Sequence, residues 1–175
     1  VVGGAGDVDG DGLDDVVVGA PFAAPNGPDS GRSYVVFGKA DTGTVQLSSV
    51  TGDIGGFRID GATALDLAGQ SINGAGDVNG DGLADVIVGA YRADAGASEA
   101  GRSYVVFGSD LPTAVPLSDI ETGGGAGFVL DGQLADDWSG RSVHGAGDVN
   151  GDGLTDLIIG APVADPGGAA SAGRT

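Results

Sequence analysis

Gly76-Asp77-Val78-Asn79-Gly80-Asp81-Gly82-Leu83-Ala84-Asp85 runs directly into Val86-Ile87-Val88-Gly89-Ala90, and the same phrase begins at Asp7 and at Asp148. The three copies start 70 and then 71 residues apart. Each places oxygen-bearing side chains at positions 1, 3, 5 and 9 of a loop, with glycine at 4 and 6. The residues are Asp7, Asp9, Asp11 and Asp15; then Asp77, Asn79, Asp81 and Asp85; then Asp148, Asn150, Asp152 and Asp156. Calcium takes six to eight oxygens at roughly 2.3–2.6 Å from carboxylates, amides, carbonyls and water. Alternation turns positions 1, 3 and 5 inward, and the glycines allow the positive φ that wraps the chain round an ion. The backbone carbonyl at position 7 (Leu13, Leu83, Leu154) is a further expected ligand, and the position 9 aspartate closes the cage. The expectation is about three Ca²⁺, one per repeat.

Two other readings compete. An EF-hand loop ends in a bidentate Glu at position 12 between helices. Here position 12 is Val18, Val88 or Ile159, inside an apolar run, so the loop joins two strands as a hairpin. The other is a metal-free hairpin shaped by Asx turns, in which the side chain of Asp or Asn caps backbone N–H groups nearby.

Composition agrees with an ordered domain of repeats. Glycine and proline, 37 and 7 residues, make up a quarter of the chain, yet the glycines recur at fixed places between apolar runs. With 41% hydrophobic residues there is material for a core. Net charge is −18, from 25 acidic and 7 basic residues. This disfavours nucleic acid, whose binding depends on Lys and Arg neutralising phosphates, and it disfavours anionic membrane surfaces. Bound calcium would offset part of the charge. There is no cysteine, hence no disulfide or thiolate metal site. No apolar stretch has the ~18 residues of a membrane span. The chain opens in mid-pattern at Val1-Val2 without Met or a leader-like segment, so a processed or truncated piece is expected.

Repetition extends beyond the loops. Gly31-Arg32-Ser33-Tyr34-Val35-Val36-Phe37-Gly38 returns at Gly101 to Gly108, and Gly173-Arg174 begins it again. Gly56-Phe57-Arg58-Ile59-Asp60-Gly61 pairs with Gly127-Phe128-Val129-Leu130-Asp131-Gly132. The chain thus divides into repeat 1 (1–68, lacking its first residues), repeat 2 (69–139) and repeat 3 (140–175, ending after its second strand), parts of one domain. In repeat 2, strands are expected at 70–75, 85–90, 102–107 and 127–130, rich in Val, Ile, Tyr and Phe and bounded by turn residues. Val86-Ile87-Val88 is continuously apolar, as for a strand covered on both faces. Residues 109–120, with Pro112 and Pro116, read as a connector with at most one turn of helix. Four strands per repeat give an antiparallel sheet that must stack on its neighbours, and the unit length favours propeller blades over a solenoid. The fold class is all-β: four-stranded antiparallel blades, about two and a half of them, in an incomplete ring.

The loop followed by Gly19-Ala20-Pro21 and Gly160-Ala161-Pro162 resembles the FG-GAP repeat of integrin α subunits and bacterial secreted proteins. Gly89-Ala90-Tyr91 departs at its third position, and Ala68-Gly69 and Ser139-Gly140 stand where Phe-Gly is usual. The resemblance covers essentially the whole chain. It implies a seven-bladed β-propeller with calcium in the hairpins between the first two strands of a blade. It also implies an extracellular setting and roles in adhesion or in carbohydrate and protein binding. Propellers have ~4–8 blades, so this chain needs other repeats, or copies of itself, to complete the assembly.

Single residues add little. His144 has no evident catalytic partner and reads as structural or solvent-facing. Trp138 takes the place of Leu67 and reads as packing between blades. Arg32, Arg102 and Arg174 are expected to pair with acidic residues of a neighbouring repeat. Asp66 and Asp137 read as turn or cap residues. Arg58-Ile59-Asp60 falls within a strand. The loops 22–30, 92–100 and 163–172 differ most between copies, and such loops are where recognition sits. The leading expectation is a non-enzymatic, extracellular or cell-surface, calcium-binding interaction module that scaffolds protein or glycan contacts. A non-catalytic propeller portion of a secreted hydrolase or lyase is the second reading. A self-assembling filament or surface-layer protein is the third.

Overall fold

The structure, a computed structural model, describes residues 1–50, 55–109, 114–165 and 173–175. Pro112 and most of the 163–172 loop lie outside the described residues. Three antiparallel sheets follow one another. The first contains β1 (Val2–Gly6), β2 (Asp15–Ala20), β3 (Arg32–Val36) and β4 (Gly56–Asp60). The second contains β5 (Ser71–Gly76), β6 (Asp85–Ala90), β7 (Arg102–Val106) and β9 (Gly127–Asp131). The third is the pair β10 (Ser142–Gly147) and β11 (Asp156–Gly160). The strands expected in repeat 2 form within one residue of their expected ends. Each first strand ends in a bulge, at Gly4/Gly6, Gly74/Gly76 and Gly145/Gly147. Gly6, Gly76 and Gly147 have φ of 77°, 70° and 73°, a conformation that carries no Cβ penalty only in glycine.

The sheets stack as incomplete propeller blades. All six residues of β6 are buried. Val86, Val88, Tyr104 and Val106 pack with Val17, Val35 and Ile59 of the first sheet. Ile87 and Val105, on the opposite face, pack with Val143, Leu157 and Ile159 of the third. The expectation of a doubly covered strand therefore holds for the middle blade. On the end blades the outward faces are open: Val16 is 42% and Ile158 is 48% exposed.

The connector in the second blade is more structured than expected. Val115–Pro116 (β8) pairs in parallel with Ile59 and Asp60 of β4, adding a fifth strand to the first sheet. Leu117–Glu121 (α1) follows as a short helix that buries Leu117 and Ile120. The first blade's outer edge, which would otherwise present unpaired backbone groups, is thus covered by its successor.

Backbone contact between blades explains the recurring glycines. Gly69 and Gly140 each open a blade, their N–H groups bonding the Gly89 and Gly160 carbonyls of the second strand of the same blade at 3.0 and 3.2 Å, and each meets the preceding blade with its own carbonyl. A Cβ on Gly19 would lie 2.2 Å from the Gly69 carbonyl oxygen, and one on Gly89 would lie 2.0 Å from that of Gly140. The small residues of both motif elements let adjacent blades meet main chain to main chain.

Candidate metal centre

The three hairpin loops share one hydrogen-bond pattern. One oxygen of Asp7 accepts from the Gly10 N–H at 2.8 Å and the other from Gly12 at 3.0 Å. Asp77 and Asp148 accept from Gly80 and Gly82, and from Gly151 and Gly153, at 2.7 and 3.0 Å in each case. Position 3 (Asp9, Asn79, Asn150) accepts from the N–H of position 5. Position 5 (Asp11, Asp81, Asp152) accepts from the N–H of position 7. These Asx turns hold the side chains on the concave side of the loop. In the first two loops they do not exclude a cation, because each turn bond uses one lone pair of an oxygen that has two, whereas in the third Asp148 Oδ1 accepts from both Gly151 and Asp152 and leaves Oδ2 as its freer oxygen. Gly10, Gly12 and their counterparts have φ between 79° and 92°, as the wrapping of the loop demands.

Asp7, Asp9 and Asp15 bring carboxylate oxygens within 4.8 Å of one another. Burial raises the Asp9 and Asp15 carboxyls above the ordinary aspartate value, and neighbouring carboxylates, Asp7 among them, raise them further. Asp85 is raised the same way, by burial first and then by Asp81 and Asp77. Like charges crowded in a partly dehydrated loop are strained as anions. A divalent cation at their centre would relieve that strain, and the all-oxygen donor set suits a hard ion such as calcium. In the other two loops an amide stands at position 3. Its NH₂ group donates to Asp81 in one and to Asp156 in the other, easing part of the same repulsion.

The position 9 aspartate does more than face the loop centre. Asp15 Oδ2 accepts from the Val8 N–H at 2.7 Å, and Oδ1 accepts from Gly38, the residue two beyond β3, at 2.7 Å. Asp85 does the same with Val78 at 2.8 Å and Gly108 at 2.9 Å. These buried carboxylates clip the hairpin loop to the end of the third strand. Gly38 and Gly108 were not among the expected site residues. Their partners lie 23 residues away in sequence, and no local pattern marks them. Asp156 keeps the equivalent bond from the Val149 N–H at 2.8 Å, and its other oxygen accepts from the Asn150 side-chain amide.

The loops are also chained together. The Ala84 N–H donates to the Asp7 carbonyl at 2.9 Å, and the Thr155 N–H to the Asp77 carbonyl at 2.8 Å. The Leu83 side chain lies over Gly10, and Leu154 over Gly80, where a Cβ would approach within 2.9 and 3.2 Å. Position 7 thus packs across blades with its side chain, while its carbonyl remains on the loop backbone. Position 4 is glycine for two reasons, conformation and space.

The remaining singled-out residues sit elsewhere. Arg32 and Arg102 do not pair across repeats: they bind Asp60 and Asp131, each on the adjacent strand of its own sheet. The register opposes Arg32 to Asp60 and Arg102 to Asp131, so the nearest carboxylate is local. Arg102 also binds Glu121 of α1 at 2.6 Å, which accepts from the buried Tyr104 hydroxyl at 2.6 Å. Arg174 reaches the Gln133 amide oxygen rather than an acid. His144 is exposed, its Nδ1 2.7 Å from the Gly145 carbonyl oxygen. Trp138 donates from Nε1 to Glu99 at 3.0 Å and packs edge-on to Tyr91, centroids 5.8 Å apart. Arg58, Ile59 and Asp60 lie on β4 as expected. Asp137 accepts from the Leu134 N–H at 3.2 Å, a turn role.

Asp66 is buried in a cleft between the first two blades, with Asp94, Glu99, Arg102 and Glu121 around it. Burial, with help from Glu121 and Asp94 and against Arg102, lifts its carboxyl from 3.8 to about 6. The neutral acid is therefore favoured by folding. That stability is complete below about pH 4 and is lost as pH rises through about 6. In calcium-free buffer the melting temperature is expected to fall between pH 5 and pH 7, with a shallower fall in Asp66→Asn. Equal slopes in the two proteins would remove Asp66 as the cause.

Three separate segments of the chain, residues 2–36, 68–106 and 139–175, match the family model of the FG-GAP repeat. The chain is 34% identical over 167 residues to integrin alpha-PS2 of Drosophila melanogaster, a match covering 91% of this chain and 11% of that one. It is 32% identical over 165 residues to integrin alpha-IIb of Mus musculus, covering 89% and 14%. Integrin alpha-11 of Homo sapiens is 33% identical over 163 residues, covering 89% and 12%. The chain therefore spans only about an eighth of the length of these relatives. With three hairpins of one design on stacked sheets, and a family match on each of them, the chain belongs to the FG-GAP repeat family.

Proposed function

We propose that the chain is a calcium-stabilised, extracellular interaction module, part of a propeller whose remaining faces are met by further repeats. Asp7, Asp9, Asp11, the Leu13 carbonyl and Asp15 would hold the first ion. Asp77, Asn79, Asp81, the Leu83 carbonyl and Asp85 would hold the second, and Asp148, Asn150, Asp152, the Leu154 carbonyl and Asp156 the third. The observation that carries this reading is the crowding of Asp7, Asp9 and Asp15 within 4.8 Å, in a loop whose hydrogen bonds recur in all three hairpins. The ion's role is structural. It offsets carboxylate repulsion and fixes hairpins that are themselves chained from blade to blade, so the opposite end of the sheets becomes a rigid platform for loops. The integrin alpha relatives support a cell-surface or extracellular setting, where calcium is plentiful enough for sites of ~10⁻⁴–10⁻³ M. The open outer faces around Val16 and Ile158 call for further repeats, or for copies of the chain, as neighbours. We read the module as non-catalytic.

Binding to the folded state alone stabilises by mass action, about 1.4 kcal/mol for each site at ten times its Kd. Adding millimolar calcium to the chelated protein is expected to raise the melting temperature by several degrees, reversibly with EDTA. Superimposable melts with and without calcium would refute the structural role.

A further inference from the structure

At the end of the sheets remote from the metal hairpins, the loops after β2, β4, β6 and β9 lie together, because antiparallel strands return there. One groove of about 280 Å³ runs between the first two blades and reaches the start of the third, lined by Phe22, Leu65, Tyr91, Arg92, Arg141 and Asp29 among others. Tyr91 stands where the other two copies of the motif carry Pro21 and Pro162. Its ring collects two guanidinium groups, Arg141 at 4.9 Å and Arg92 at 5.8 Å from the centroid, and the edge of Trp138. In a chain of 25 acidic and 7 basic residues, two arginines on one ring are unexpected. Arg92 is loosely paired, its Nε 3.8 Å from Glu99. Among the described residues Arg141 has no carboxylate within ion-pair distance. It is exposed, so its guanidinium N–H groups are open to a carboxylate from solvent.

Apolar surface adjoins the arginines. Phe22 is 72% exposed and Leu65 is 58% exposed. Leu65 has a φ of 72°, and its loop is held by bonds from the Leu65 N–H to Pro28 and from the Leu67 N–H to Asp29. The outward Leu is thus part of a preformed surface. Asp29 is the one carboxylate lining the groove and Glu99 faces Arg92 from beside it, so Arg141 is the lining cation with no ion-pair partner among the described residues.

We propose that this groove docks a segment of a protein partner bearing a carboxylate beside an apolar side chain. Arg141 grips the carboxylate, Arg92 supports it, and Phe22 and Leu65 take the apolar group. A protein segment fits better than a sugar. The Tyr91 ring already carries Arg141 and Trp138, and the exposed Phe22 ring stands with Leu65 as an apolar pair that suits an apolar side chain and offers nothing to hydroxyl groups.

This assignment rests on the reading of the chain as an interaction module. The test is fluorescence anisotropy of the intact protein in millimolar calcium with a labelled peptide, Gly-Leu-Glu-Phe-Glu-Gly, and its Gln counterpart. The Glu peptide is expected to bind at least about fivefold more tightly, with affinity falling as salt rises. Arg141→Gln should abolish the preference at unchanged melting temperature, Phe22→Ser should weaken both peptides, and Lys39→Gln should change neither. Equal binding of the two peptides, an unaltered preference in Arg141→Gln, or binding of a uronic-acid oligosaccharide in place of the peptide would overturn it. A calcium-dependent melt with no peptide binding sinks the groove assignment and leaves the calcium reading standing.

Discussion

Gly89→Ala is expected to separate the second blade from the third. A Cβ at this position would stand 2.0 Å from the Gly140 carbonyl oxygen and 3.0 Å from its carbon. Both are main-chain atoms, so no rotamer change makes room. The Gly89 carbonyl is itself bonded by the Gly69 N–H, which holds the strand in place within its own blade. Relief requires the blades to part, opening the packing of Ile87 and Val105 against Val143 and Leu157. Overpacked cores lose about 1–3 kcal/mol even where side chains can adjust. Here the loss should exceed about 3 kcal/mol, a fall of roughly 10 °C in melting temperature for a chain of this size. Gly96→Ala is the control. Gly96 has a φ of 81° but nothing within 4 Å of an added Cβ, so only backbone strain of about 1 kcal/mol applies. Gly89 itself has no positive φ, so a loss no larger than that of Gly96→Ala would mean that the blades yield easily and that their close approach does not require glycine here.

Asp85→Ala should be the most damaging change in the hairpin loops, and its damage should appear even in calcium-free buffer. Asp85 is fully buried and accepts from both Val78 and Gly108. Truncation leaves two backbone donors without a partner, one of them in the buried bond to Gly108. Each orphaned buried donor costs about 1–3 kcal/mol, so a loss of roughly 2–5 kcal/mol is expected in calcium-free buffer. Asp81→Ala differs. Asp81 caps the exposed Leu83 N–H, and water can replace it. Its removal should leave the calcium-free melt nearly unchanged while reducing the gain from calcium. Thermal melts of both variants with and without calcium separate clip from ligand. Identical behaviour of the two would show that position 9 has no separate structural part.

The hairpins were legible because their signals are local and thrice repeated. The alternation of oxygen donors, the two glycines and the apolar run that follows fixed both the loop and the strand β6, whose bounds at Asp85 and Ala90 were read correctly. Contacts set by tertiary register were not legible. Val115 and Pro116 carry no strand signal, yet they form β8 because the open edge of β4 lies beside them. Arg32 and Arg102 were assigned to neighbouring repeats, whereas cross-strand register delivers Asp60 and Asp131 directly opposite. The clip from Asp85 to Gly108 and the collection of Arg92, Arg141 and Trp138 around Tyr91 join residues many positions apart, and only the folded chain shows them.

The central claim, oxygen cages filled by calcium, is most directly tested by calorimetric titration of calcium into protein stripped of divalent ions. Three sites are predicted, in the ~10⁻⁴–10⁻³ M range, with one lost in each of Asp7→Ala, Asp77→Ala and Asp148→Ala. A titration without binding heat at several temperatures, or a stoichiometry unmoved by all three substitutions, would contradict it.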